Sequence, residues 1–449
     1  MSKNFKIAAA ISIIILLIIA GRYYALKNEK PAPAFPKFDR RAAEITPSSE
    51  FLNAQKAVEY YEAEIRRKPE VAKNYIELAQ VFLQEARVTG NHHQYIPEAQ
   101  QLLEKALALE PKNFQATIVK ASLMLTLHQF QEAKRLAQIA IAHAPYNAFS
   151  HGVLVDALIE LGEYGEAVKI CDKMLSLRPD LRSYARASYL RELHGDLDGA
   201  MAAMRMACDA GVAGQESRAW ALHQLGMLYL QQGKADTAAF IFKGILEERS
   251  NYAYAIAGLA QVNSVKKNFA EAIRLFQQAY QIVPDHGFIE QLADLYRAAG
   301  DARRADSTAQ EVLKTFGQHE QGGWNINREF AMFCANHNMN LAAALKRAKS
   351  EYEARPNNID VLETCAWALY KNGHVQEAVP LIEQAMKLNT RRATLSYHAG
   401  MIYFAAHQRE KAKTHLQRSL AENLSLHPLY VDEAQQALSK MMDNDYAMK

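Results

Sequence analysis

Between Pro145 and Pro179 the apolar positions switch phase once, and that switch defines the unit from which most of the chain is built. Val153, Leu154, Ala157, Leu158 and Leu161 fall at i, i+1, i+4, i+5 and i+8, which places them along one face of a helix. Gly162-Glu163-Tyr164-Gly165 interrupts the pattern and supplies the flexible residues of a tight turn. A second helix is predicted from Glu166, with Ala167, Val168, Cys171, Met174 and Leu175 on its apolar face, and it must end before Pro179. Ala167 sits where the two helices approach most closely, so a larger side chain there would push their axes apart.

One such pair cannot bury its own stripe, so neighbours have to stack on it. Alanine recurs in the register of Ala167 at 57, 99, 133, 200, 238, 272, 305, 344, 378 and 412, mostly in steps of 33 or 34. Twelve residues earlier, small or modest residues occupy Ala79, Ala121, Val155, Ser188, Gly226, Ala260, Ala293, Ala366 and Gly400, with Met332 breaking the series. Residues 48–425 therefore read as one helical array, beginning with a helix from about Ser48 to Lys68. Three longer connections are predicted at 87–94, 208–217 and 316–324. Residues 426–449 read as a capping helix, about Leu429 to Met442, with a frayed tail.

The period of 34 with its small-residue and proline spacing resembles the tetratricopeptide repeat. That resemblance implies an all-α, right-handed superhelical solenoid of about ten to eleven helix pairs, whose first helices line a concave groove. The stretches SYLRELHGDLDGAM, AWALHQLGMLYLQQG, CAWALYKNG and YHAGMIY are similar to a group of bacterial tetratricopeptide proteins.

The N-terminus has a different character. Residues 1–6 are basic, and Ile7 to Gly21 is uninterrupted apolar sequence, about 22 Å as a helix against a hydrocarbon core of roughly 30 Å. Two readings stay open: a cleaved signal peptide, or an anchor over residues 7–26 with Tyr23 and Tyr24 at the interface and Arg22 snorkelling. The aromatic pair and the missing A-x-A site favour the anchor, in a bacterial inner membrane. The Lys/Arg count places the array in the cytoplasm, whereas the shape of the basic segment and short apolar run favours the periplasmic side. Residues 27–47 form a Pro-rich basic linker. Residues 1–47 hold eight basic and three acidic side chains, so the remainder, with 44 basic and 46 acidic, is slightly acidic. A nucleic-acid partner is disfavoured on that ground.

No phosphate loop, nucleophile elbow or H-E-x-x-H motif is present, and no catalysis, cofactor or metal is expected. His92-His93 reads as a surface loop, and Cys334 with His337 as packing. Cys171 and Cys365 fall at apolar repeat positions. What the resemblance offers is a groove for a protein or peptide partner. Carrying its register over, the groove-facing residues include Arg182, Arg186, Tyr189, Trp220, His223, Tyr254, Gln261, Asp294, Arg297, Trp367 and Tyr397, with aromatic and Arg anchors as the types expected to hold a partner. The expected function is a membrane-tethered scaffold or adaptor. An accessory subunit of a membrane enzyme or transporter is the alternative, and a polysaccharide-processing enzyme using Glu290, Asp294 and Glu363 is a weaker one.

Overall fold

The computed structural model describes residues 48–447 together with Phe35, Phe38 and Arg41. The basic N-terminus, the apolar segment 7–26 and most of the linker lie outside the described residues. Among the described residues no helix is long and apolar enough to cross a membrane.

Helix α1 (Ser48–Arg67) precedes ten antiparallel pairs. The first five are α2 (Ala72–Thr89) with α3 (His92–Leu109), α4 (Phe114–Thr126) with α5 (Phe130–His143), α6 (Ala148–Glu160) with α7 (Tyr164–Leu177), α8 (Leu181–Leu193) with α9 (Leu197–Asp209), and α10 (Glu216–Gln231) with α11 (Ala235–Glu248). The second five are α12 (Ala253–Val265) with α13 (Phe269–Ile282), α14 (His286–Ala298) with α15 (Ala302–Gln321), α16 (Asn327–Asn336) with α17 (Leu341–Ala354), α18 (Ile359–Lys371) with α19 (Val375–Ala385), and α20 (Ala393–Ala405) with α21 (Arg409–Ala421). Helix α22 (Tyr430–Ala447) closes the described chain, so the tail expected to fray continues the helix to Ala447.

The two small-residue ladders explain the packing. Every alanine of the Ala167 register from Ala99 to Ala412 is buried, whereas Ala57 on α1 is only half-buried. In the other ladder, a Cβ on Gly226 would come within 2.4 Å of the Phe242 ring, and one on Gly400 within 2.6 Å of Leu416. The break at Met332 is a one-residue shift in the short helix α16, where Ala331 takes the fully buried place.

Two expected connections are corrected. Only Gly90 and Asn91 separate α2 from α3, because Gly90 at φ 71 turns the chain abruptly, so His92 and His93 start a helix rather than occupy a loop. The segment 316–324 mostly lengthens α15 to Gln321. The second helix of the 145–179 unit starts at Tyr164, two residues earlier than its apolar pattern suggested.

The feature that periodicity does not announce is that the solenoid closes on itself. Residues roughly 195 apart in sequence, six helix pairs, stack directly, so a second turn rests on the first along a continuous seam. The loop before a first helix of the second turn meets the C-terminal end of a first helix below. Val283 and Pro284 meet Gly90; the Asn325 N–H donates to the Leu127 carbonyl at 3.2 Å; and the Asn358 amide donates to the Ile159 and Glu160 carbonyls at 3.3 and 3.0 Å. The Thr390 hydroxyl donates to Leu193, and the Asn423 amide to Leu230. Each acceptor is among the last carbonyls of a helix, groups that lack an intrahelical partner. Trp324, Ile359 and Leu388 add apolar contact to the first-turn core, and Leu426 packs beside Phe242 and Tyr252. One polar bond and one apolar side chain give each rung roughly 1–3 kcal/mol. Gly162 (φ 75) is required where the seam is tightest, since a Cβ there would lie 2.3 Å from the Asn357 carbonyl carbon.

Candidate functional site: the acidic lumen

Closure of the two turns brings charged side chains of both turns together on the inner side, where an open groove was expected. At the seam, Arg355 joins the turns: its guanidinium donates to Glu160 at 2.9 Å and to Glu351 at 2.7 Å, and lies 4.7 Å from the Phe130 ring centre. Beside it is a cavity of about 220 Å³ lined by Leu125, His128, Phe130, Asp156, Glu160, Arg328, Glu329 and Arg355. Farther along, Arg392 bridges Asp360 at 2.6 Å and Glu363 at 2.9 Å, and Glu363 also meets His398 Nδ1 at 2.8 Å. Burial works against ionisation of Glu363, but Arg392 and His398 outweigh it and hold the carboxyl below its ordinary range.

Glu290 and Asp294, one turn apart on α14, lack such a partner. Burial pushes Glu290 up to about 8, reinforced by the negative charges of Asp294, Glu329 and Asp285. Asp294 is pushed up to about 7 by burial, with Arg297 opposing. Their nearest basic groups are His286, 3.8 Å from Glu290, and His337, 3.4 Å from Asp294. His337 is itself pushed down to about 4 by burial and therefore uncharged at neutral pH. Yet the two acid side chains keep 30 % and 24 % of their surface open. They are surrounded by protein yet reachable by water. Burial also raises Glu160 and Glu192. Asp156, Glu160, Glu192, Glu290, Asp294, Glu329, Asp360 and Glu363 share this region with five guanidiniums, those of Arg186, Arg297, Arg328, Arg355 and Arg392, so carboxyl groups outnumber cations. At Tyr430, at the start of α22, burial, with the charges of Asp294, Glu433 and Glu363, raises the hydroxyl well above its ordinary value.

The residues expected to anchor a partner separate into two groups. Trp367 (1 % exposed) and Tyr397 (0 %) are corrected from groove anchors to core: the Trp367 indole donates to Asn336 at 2.8 Å and stacks on His398, while the Tyr397 ring stacks on Tyr430. Large flat rings fill the space between successive first helices, leaving no face for a ligand. Arg186 is committed to Asp156, with its Nε 2.8 Å from Oδ1. Arg297 is drawn to Asp306 on α15 at 2.7 Å. His223 lies between the Phe242 and Tyr254 rings, and burial pushes it down to about 4. The Tyr254 hydroxyl donates to Asp285 at 3.1 Å.

Tyr189 and Trp220 remain more than a third exposed, and Arg182 is exposed over the Phe149 ring. Gln261, at the register position of Asp294 one pair earlier, has its Oε1 buried without a hydrogen-bond partner. Sequence reasoning did not single out Arg328, Glu329, Arg355, Asp360 or Arg392; of their ion pairs, Arg355 with Glu160 forms only because the turns stack, whereas Arg392 with Asp360 and Glu363 joins neighbouring pairs of one turn. A usable signal existed in Asn325, Asn358, Thr390 and Asn423, a polar series spaced by 32 or 33 residues in the loops. No group of three metal-ligating side chains is placed to hold an ion among the described residues.

A family profile described as tetratricopeptide repeat matches residues 223–286, which run from α10 to the start of α14. The chain is 26 % identical over 163 residues to cellulose synthase operon protein C of Pseudomonas fluorescens (strain SBW25), covering 34 % of this chain and 12 % of that protein. It is 24 % identical over 286 residues to tetratricopeptide repeat protein 21B of Xenopus laevis, covering 58 % and 21 %. It thus spans only a minor part of either relative's length. Among solved structures, yeast Tom70 is 16 % identical, with 88 % of this chain and 94 % of that chain covered at a TM-score of 0.36. Human IFIT1 is 13 % identical, with 84 % and 90 % covered at 0.43. With the profile falling inside an array whose ten pairs keep one period, the chain is a tetratricopeptide-repeat protein.

Proposed function

We propose that this chain is a membrane-tethered interaction scaffold that holds a cationic segment of a partner protein in its lumen. The observation that carries the reading is the Glu290–Asp294 pair, whose carboxyls are reachable by water and carry protons in place of a cation. Strongly shifted groups in a cleft mark a functional site when they lack a structural partner. Lys or Arg side chains would take the place of the protons, and the buried Gln261 oxygen supplies one more acceptor. Trp220 and Tyr189 offer exposed aromatic surface for the rest of the segment.

In this reading residues 7–26 hold the array at a bacterial inner membrane, on the periplasmic side, and the basic linker 27–47 lies along anionic headgroups. Tethering raises the local concentration of the scaffold around a membrane partner. The test is in-membrane photocrosslinking from position Trp220, which is more than a third exposed, with mass spectrometry of what is captured. Captured segments are expected to be rich in Lys and Arg and to be lost in a Glu290→Gln/Asp294→Asn variant. Capture that survives the double substitution would remove the lumen from the account, and protease accessibility on intact cells decides the side.

A further inference from the structure

We propose that the seam is a pH-sensitive latch at a cluster of four histidines, in which His92 of the first turn and His319 of the second hold the turns together while neutral and drive them apart when protonated. The proposal rests on the lumen reading, because an opened seam is what would admit a partner segment.

The four imidazoles form one cluster across the seam. The His93 and His319 ring centres are 5.4 Å apart, and those of His286 and His319 are 5.3 Å apart. Trp324 completes the cluster, 5.9 Å from His92 and 5.7 Å from His319. His92 and His93 open α3, immediately after Gly90 meets Val283 and Pro284, so the cluster adjoins the first rung of the seam. His92 Nδ1 is buried without a hydrogen-bond partner. The acidic groups facing the cluster are Asp285, which favours protonation of His92 and His319, and Glu290, 3.8 Å from His286. Opposing them are burial and the histidines themselves, which lower His92 and bring His319 to about 4. A free imidazole protonates near pH 6.5. Protonation is therefore easier in the open seam than in the closed one, so closure weakens as pH falls below about 6.5. The cation on His92 belongs to the first turn and that on His319 to the second, so their repulsion acts across the seam.

The experiment uses the full chain without ligand: hydrogen exchange at residues 90–93 and 322–327, with small-angle scattering, from about pH 7.5 down to pH 4.5. The wild type is expected to lose protection at the seam and to expand below about pH 6 while the helix cores stay protected. His92→Phe/His319→Phe keeps the ring contacts with Trp324, removes the two charges, and is expected to lower the midpoint by about one pH unit. Should that variant fold poorly, a wedge pair gives an independent reading. Gly162→Ala/Gly195→Ala places Cβ atoms 2.3 Å from the Asn357 carbonyl carbon and 2.5 Å from the Asn389 oxygen, loosens the seam elsewhere, and is expected to raise the midpoint. Gly300→Ala/Gly373→Ala shares the positive φ (82° at both) with no neighbour within 4 Å and is expected to leave it unchanged. Seam protection that persists in the wild type until global unfolding, or a midpoint unmoved by the histidine variant or by the wedge, overturns the latch. The lumen reading fails separately, at about pH 8 and at equilibrium, if a labelled Arg-Ser repeat peptide binds the Glu290→Gln/Asp294→Asn variant as well as the wild type.

Discussion

Glu290→Gln should stabilise the protein at alkaline pH and do little in mild acid. In the folded chain Glu290 titrates at about 8 against an ordinary 4.5. Below pH 4 both folded and unfolded chains keep the proton and no penalty exists. As pH rises, the unfolded chain loses its proton first, so stability falls from about pH 4 to pH 8 and the full penalty applies above that. At 1.36 kcal/mol per pH unit, the shift sets a ceiling of about 5 kcal/mol. Water reaches 30 % of the side chain and screens part of that, leaving roughly 2 kcal/mol. Glutamine keeps the shape and removes the charge. Urea unfolding followed by circular dichroism should therefore show a gain of roughly 2 kcal/mol at about pH 9 and a few tenths at about pH 5. An equal gain at both pH values, or a loss at pH 9, would refute the claim that Glu290 is an uncompensated lumen charge.

Arg355→Ala strands Glu351 and Glu160 at the seam and should cost about 3–5 kcal/mol in urea unfolding. Arg355→Met, which retains the stem over Phe130, should cost measurably less. Gly300→Ala should cost about 1 kcal/mol for its backbone, whereas Gly162→Ala should cost at least about 2 kcal/mol more by thermal unfolding, because only there does the new Cβ strike the other turn. Trp220→Ala should weaken binding of an Arg-Ser repeat peptide by about 1–2 kcal/mol in fluorescence anisotropy without changing helicity.

Much of the array was legible because its packing is local. A helix pair touches mainly the next pair, so the alanine register from Ala99 to Ala412 and the small residues from Ala79 to Gly400 report the contacts directly. Helix lengths were less legible: α15 runs to Gln321 through a stretch whose glycines suggested a loop, and His92 begins a helix. The site was least legible, since the lumen depends on how much each pair rotates relative to the last. That rotation brings Arg355 to Glu160 and Thr390 to Leu193, contacts separated by 195 and 197 residues. Register alone could place Trp367 and Tyr397 on first helices but could not tell a ring wedged between helices from one facing a ligand. For Asp294, burial with only Arg297 opposing it became visible with its neighbours in place.

Stacking of the two turns is the claim on which the lumen and the latch both depend, and a distance across the seam tests it directly. Spin labels at Gly165→Cys and Asn357→Cys suit this purpose, because a Cβ at 165 meets nothing within 4 Å and the four native cysteines are buried. Gly165 lies three residues beyond Gly162, which touches Asn357. At about pH 8, pulsed electron paramagnetic resonance should give one narrow distribution below about 20 Å, one helix-layer spacing plus two label arms. A broad distribution centred well beyond that distance would mean that the solenoid is open in solution, and would contradict the closed lumen.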